Sequence, residues 1–256
     1  MSETWKTAIT QIKPNEVRLR GYRIDELMGR ATFAQVIYLA LRGELPSPEV
    51  GRLIDAMLVS SIDHGATPPS TQAARLTAST GAPLNATVAT GVLSINQHHG
   101  GAIHDCMGIL QDAIRRSAET GQPLAQLAPV IVAEFKAARK KMAGFGHRVH
   151  TRDPRTVKLL ALAEELGVGG KGVAAVRAIE SAFEAGGKPL PVNVDGAIAA
   201  LLIDLDIPQA LANAFFIMAR VPGLVAQVHE EQSRQPPMRR IDPGESEYDG
   251  PAERTL

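Results

Sequence analysis

The chain has 256 residues, with 27 Lys plus Arg balanced by 27 Asp plus Glu and an isoelectric point near 7.1. A formally neutral chain lacks the cationic excess selected by nucleic acids and anionic membrane surfaces, and 45% hydrophobic with 21% charged residues is the composition of a globule, not of disorder. Aromatics are only 4%, so the core must be aliphatic and alanine-rich, which favours closely packed helices over an aromatic, β-branched sandwich.

The opening stretch, MSETWKTAITQIKPNEVRLRGY, contains no apolar segment of signal-peptide length, and the chain nowhere offers about 18 uninterrupted apolar residues for a membrane span. Helical periodicity starts after Thr32, a candidate N-cap for FAQVIYLALR, and Gly43 ends that helix. Ser47-Pro48-Glu49 reads as cap, first-turn proline and first-turn acid of a second helix through Leu58. Small-residue helices are expected near 72–79 and 84–95, and longer ones over 102–118 and 124–141. Further periodic segments lie at 157–166 and 173–185, followed by AIAALLIDLDI and an apolar helix or helix pair over 208–227. From Ser233 the chain turns Pro-, Arg- and acid-rich and is expected to be extended. No repeat and no βαβ alternation is visible, so the expected class is all-α.

Four of the seven histidines sit in glycine-bearing turns: His64 before Gly65, His98 and His99 before Gly100-Gly101, and His147 after Gly144-Phe145-Gly146. Glycine there lets a ligand approach the backbone while the imidazole reaches it, although a single such histidine is as well explained by a structural role. A metal site is not expected: His99 and His104 are five apart, which rotates them off a shared helix face, and no H-E-x-x-H pattern occurs. Cys106 is the sole cysteine, so it has no disulfide partner, and a cytoplasmic location is expected. Asp195 reads either as the plain N-cap of the following helix or as a carboxylate placed for proton transfer. Arg139, Lys140, Lys141, Arg148, Arg152 and Arg155 form the strongest charge run, against one acid, Asp153. The run is either a solvated basic face or an anion-recognition segment built on bidentate arginines.

Six ordered motifs together resemble the citrate synthase family: GYRIDELMGRATFAQVIYLALRGELP, DHGATPPSTQAARLTASTGAPL, HHGGA, GFGHRVHTRDPR, NVDGAIAALLIDL and FFIMARVPGLVAQ, covering about residues 20 to 250. The resemblance implies an all-α fold in which residues 1–105 and 206–256 form a large domain and 106–205 a smaller coenzyme A-binding domain that closes over substrate. It implies that His99, His147 and Asp195 are catalytic and that His64, Arg155 and Arg220 bind the substrate. Arg239 or Arg240 would be contributed across a homodimer, and Gly144, Phe145, Gly146 and Arg148 would line the coenzyme A site. The implied substrates are citryl-CoA, acetyl-CoA, oxaloacetate and citrate, with a coenzyme A thioester as reactant, no tightly bound cofactor, and neither nucleic acid nor membrane as partner. Asp63-His64-Gly65, Gly196 after Asn193-Val194-Asp195, and the short N-terminus resemble citryl-CoA lyases. His99 is shared with synthases, so condensation of acetyl-CoA with oxaloacetate is the alternative activity, and a non-catalytic citrate- or CoA-binding protein the alternative of another class.

Overall fold

The computed structural model describes residues 4–146, 151–240 and 242–255. It begins with three antiparallel strands, β1 (Thr10–Lys13), β2 (Glu16–Leu19) and β3 (Tyr22–Arg23), with Thr10 opposite Leu19 and Arg18 opposite Arg23. The second turn places Arg20 and Gly21 both at positive φ, as a two-residue hairpin turn requires. No strand was expected here: each run is only four residues or fewer, too short for a period-two pattern to stand out.

The remainder is helical: α1 (Ile24–Leu27), α2 (Phe33–Arg42), α3 (Pro48–Ser60), α4 (Pro69–Ser79), α5 (Leu84–Leu93), α6 (Ala102–Thr120), α7 (Leu124–Ala137), α8 (Pro154–Glu165), α9 (Lys171–Ala185), α10 (Val194–Asp204) and α11 (Ala212–Arg234). Local chemistry sets many of the ends. Thr32 and Gln35 form a reciprocal capping box at the start of α2, and Gly43 closes it at φ 90°. Ser47 accepts from the Val50 amide ahead of Pro48 at α3. Helix α4 begins three residues before its expected start, because Pro69 occupies the first helical position. Helix α7 stops at Ala137 instead of running to 141; Arg139 two residues on is left-handed, at φ 53°. The tail is extended but for one 3-10 turn, Pro243–Glu245.

The chain forms two compact units, residues 1–62 with 96–220, and residues 63–95 with 221–256. In the first, α10 is the central element: Gly196 to Leu202 are all buried, and the helix packs on α6, α8 and α9. Such an all-round apolar helix explains the unbroken AIAALLI run. Its last residue, Asp204, accepts from the amides of Gly170 (2.8 Å), Gly172 (2.6 Å) and Val173 (3.0 Å), supplying from another helix the cap that α9 lacks locally. In the second unit Ala74, Ala78, Leu224 and Val228 form a core covered by Val88 and Val92. Beside it, buried Glu231 is bracketed by Arg75 (2.8 Å) and Arg239 (2.6 Å).

Among the described residues one segment, Gln209–Arg234, is long and apolar enough by length and composition to cross a bilayer, which the absence of an uninterrupted apolar run did not anticipate. Its hydropathy also matches what a core helix needs: Phe215, Ala219, Leu224 and Val228 are buried within the protein.

Candidate active site

The first compact unit gathers an acid, two arginines and a histidine. Asp153 is both the N-cap of α8 and the partner of Arg155: one carboxylate oxygen accepts from the Arg155 amide and Nε, both at 3.0 Å, and the other from Nη2 at 2.8 Å. That bidentate pair fixes the guanidinium plane. Arg155 also points Nη1 at the Ser60 carbonyl, 3.5 Å away. The next carbonyl, of Ser61, accepts from Nε of Arg220 at 3.0 Å. The frayed end of α3, where carbonyls lack helical partners, therefore anchors both arginines. Arg220 is only 2% exposed, an expensive place for a cation unless its partners compensate.

Asp195 lies in the first turn of α10 but does not cap it. Asn193 does, accepting from the Gly196 amide at 3.1 Å, so the cap reading of Asp195 gives way to a carboxylate free for other work. Burial pushes the Asp195 carboxyl up from 3.8 to about 6; Arg155 pulls it down, Asp153 pushes it up, and Arg220 pulls it down. Desolvation outweighs the two arginines, the balance expected for a group meant to exchange protons near neutrality.

His99 sits half-buried three residues before α6, in a turn where its amide donates to the Asn96 carbonyl at 2.9 Å. Its ring meets Phe216 edge-on, with centroids 5.5 Å apart and planes at 86°. Phe216 in turn receives the Arg220 guanidinium over its face at 4.7 Å. One buried ring thus links the histidine to the arginine. His98, its neighbour, is exposed. Among the described residues no group of three or more His, Cys, Asp or Glu side chains could hold a metal ion.

The turn before His147 is built against the start of α10. Gly144 and Gly146 have φ of 86° and 77°, Phe145 is buried against Phe183, and the Gly146 amide donates to Pro191 O at 2.7 Å. A Cβ on Gly144 would overlap Cys106 Sγ and come within 2.9 Å of Gly196 Cα, and one on Gly196 would overlap the Gly144 carbonyl oxygen. These glycines are present for backbone contact. His147 and Arg148 themselves lie outside the described residues.

The structure therefore brings Asp195, Arg155, Arg220 and His99 into one unit, with Gly144, Phe145 and Gly146 beside them. His64, Arg239 and Arg240 belong to the other unit. His64 is exposed in the loop before α4, where Gly65 donates its amide to Asp63. Arg239 is held by Glu231 through two bonds of 2.8 and 2.6 Å, and Arg240 is exposed. Asn193, Asp153, Phe216 and the Ser60 and Ser61 carbonyls were not foreseen as site residues. The Asp-Pro-Arg cap and the Asn193 cap on Gly196 are local, whereas the contacts of His99 with Phe216 and of the arginines with the Ser60 and Ser61 carbonyls join residues far apart in sequence.

Helix-packed, with a raised carboxyl, a buried and a half-buried arginine and a histidine in one unit, the site has the makings of proton-transfer chemistry on a small anionic substrate. A model of the citrate synthase C-terminal domain matches residues 40–241. The fold superposes on citryl-CoA lyase from Hydrogenobacter thermophilus with a TM-score of 0.90 and 41% identity, over 99% of this chain and 98% of that one. ATP citrate lyase from Methanothrix soehngenii, in complex with citrate and coenzyme A, aligns with a TM-score of 0.84 and 23% identity, over 99% of this chain and 43% of that one. Citrate synthase from Synechocystis is 33% identical over 196 residues, 73% of this chain and 47% of that protein, so the chain spans about half the length of the curated relatives it matches. The chain belongs to the citrate synthase family.

Proposed function

We propose that the protein cleaves citryl-CoA to acetyl-CoA and oxaloacetate. The observation that carries this reading is the raised carboxyl of Asp195, whose desolvation outweighs the pull of Arg155 and Arg220. In the proposed reaction the citryl hydroxyl gives its proton to His147, the adjacent carbon-carbon bond breaks, and the electron pair moves onto the thioester as an enolate. His99 donates to that enolate oxygen, and protonated Asp195 delivers a proton to the carbon, completing the methyl group of acetyl-CoA. Cleavage therefore needs the acid form of Asp195. At pH 7 a carboxyl at about 6 is roughly 9% protonated, against roughly 0.06% at 3.8, a gain on the order of 100-fold in the reactive form. Arg220 and the Nη1 side of Arg155, whose other edge is occupied by Asp153, receive the substrate carboxylates.

Near-full-length likeness to a citryl-CoA lyase and Gly196 in place of an aromatic favour cleavage. His99 and the naming of the Synechocystis relative favour the second reading, condensation of acetyl-CoA with oxaloacetate. The working unit is a cytoplasmic homodimer, closed over substrate by residues 106–205. Across that dimer Arg240 reaches the partner's substrate, since Arg239 is already engaged by Glu231 of its own chain. Pure protein incubated with citryl-CoA, and separately with acetyl-CoA plus oxaloacetate, tests both directions. Turnover of neither set, or full activity after Asp195→Ala, refutes the proposal.

A further inference from the structure

Two segments carry the proposed acid-base groups, and Asn193 bonds to both. The Gly144–Gly146 turn ends one residue before His147; the 191–193 segment ends two residues before Asp195. They pair as a minimal antiparallel bridge, Phe145 opposite Val192, with two backbone bonds among the described residues: Gly146 N to Pro191 O (2.7 Å) and Asn193 N to Gly144 O (3.0 Å). A bridge this short has little stability of its own. The Asn193 side chain reinforces it. Its Nδ2 donates to Gly146 O at 2.9 Å, while its Oδ1 accepts from Gly196 N at 3.1 Å and caps α10. From the other side, Glu180 accepts from the Val192 amide at 2.7 Å.

The residue type is informative. As an N-cap, Asp or Ser would serve α10 as well as Asn. Aspartate has no donor and a serine hydroxyl is one short group, whereas the carboxamide carries its acceptor and its donor on separate atoms, one on the helix and one on the turn. The cap requirement alone therefore does not explain Asn193, and the contact with Gly146 does. The glycine pair completes the junction, because Gly144 and Gly196 meet backbone to backbone with no room for a Cβ on either.

We propose that Asn193 is a positioning residue that holds the turn leading into His147 in register with the first turn of α10, so that proton removal and proton delivery act on the same substrate. It acts through its two neighbours and does not touch substrate. The inference rests on the proposed activity for its kinetic consequence, and on geometry alone for the linkage itself.

Asn193→Ser keeps a cap acceptor on a shorter side chain without the separate Nδ2 donor to Gly146 O, and Asn193→Asp keeps the cap acceptor and the side-chain size but sets an oxygen against Gly146 O. Both variants are expected to lower kcat for citryl-CoA by about 10- to 100-fold, the cost of displacing a catalytic group by about 1 Å, with KM changed less than about two-fold. Amide hydrogen exchange is expected to accelerate at Gly146 and Asn193 in both variants and to stay unchanged at Leu201 and Leu202 inside α10. Retention of kcat within about two-fold while the wild type is active overturns the inference. So does unchanged exchange at Gly146, or acceleration spread evenly through α10, which marks a merely structural role. If the wild type turns over neither substrate set, the proposed activity falls, and exchange at Gly146 still decides the linkage.

Discussion

Asp195→Asn is expected to stabilise the free protein at neutral pH while abolishing turnover. The carboxyl moves from 3.8 in the unfolded chain to about 6 in the folded one. A group raised in this way contributes stability below 3.8 and loses it as pH rises through about 6, because the ionised form is favoured by unfolding. At roughly 1.4 kcal/mol per pH unit, the penalty at pH 8 is about 3 kcal/mol, falling to about 1 kcal/mol at pH 4.5. Asparagine has nearly the same shape and no charge to desolvate, so it escapes the penalty. For a chain of this size each kcal/mol moves Tm by roughly 2 to 4 °C, so calorimetry at pH 8 is expected to show the variant melting about 6 to 12 °C above wild type. At pH 4.5 the gap is expected to close to about 2 to 4 °C. A variant that melts at or below wild type at pH 8, or a gap independent of pH, refutes the reasoning that burial of this carboxylate is stored as a folding cost. The same measurement bears on catalysis, since active sites commonly hold such costs for function.

Asp204→Ala removes the acceptor shared by three amides at the start of α9 and is expected to cost about 2 kcal/mol, with hydrogen exchange at Gly172 and Val173 accelerated first. Gly196→Ala drives a methyl into the Gly144 carbonyl and is expected to destabilise by about 1 to 3 kcal/mol with at least a tenfold loss of kcat; a variant with native melting and turnover would show that the close approach is dispensable. The two reaction directions are expected to show opposite pH limbs. Cleavage needs protonated Asp195 and is expected to decline above about pH 6, whereas condensation needs the carboxylate and is expected to decline below it; parallel limbs in both directions would remove Asp195 from the proton transfer.

Helices with strong caps were legible from sequence. Thr32 with Gln35, and Ser47 with Pro48, carry their start signals within four residues, and both helices begin where expected. The β1–β2–β3 sheet was not, because its strands are short and its second turn rests on Arg20 in a left-handed conformation that nothing but Gly21 announces. Helix α9 starts at Lys171 through a carboxylate 30 residues and more downstream, a contact no local pattern encodes. Within the site, Asp195 stood out by its motif, but the assignment of the cap to Asn193 required the bond to Gly196. Likewise Arg155 was visible in a basic run with Asp153 two residues before it, whereas the contact of His99 with Phe216 is a property of packing. Contacts that join residues 95 to 159 apart, Arg155 to Ser60 and Arg220 to Ser61, leave no period in the sequence to read.

In the proposed reaction Asp195 is the proton donor when the carbon-carbon bond of citryl-CoA breaks. Release of acetyl-CoA from citryl-CoA, quantified with pure wild-type protein and with Asp195→Asn, tests it most directly. Acetyl-CoA and oxaloacetate are expected in equal amounts from the wild type, with a loss of at least about a hundredfold in the variant. No release by the wild type, or comparable release by both proteins, contradicts it.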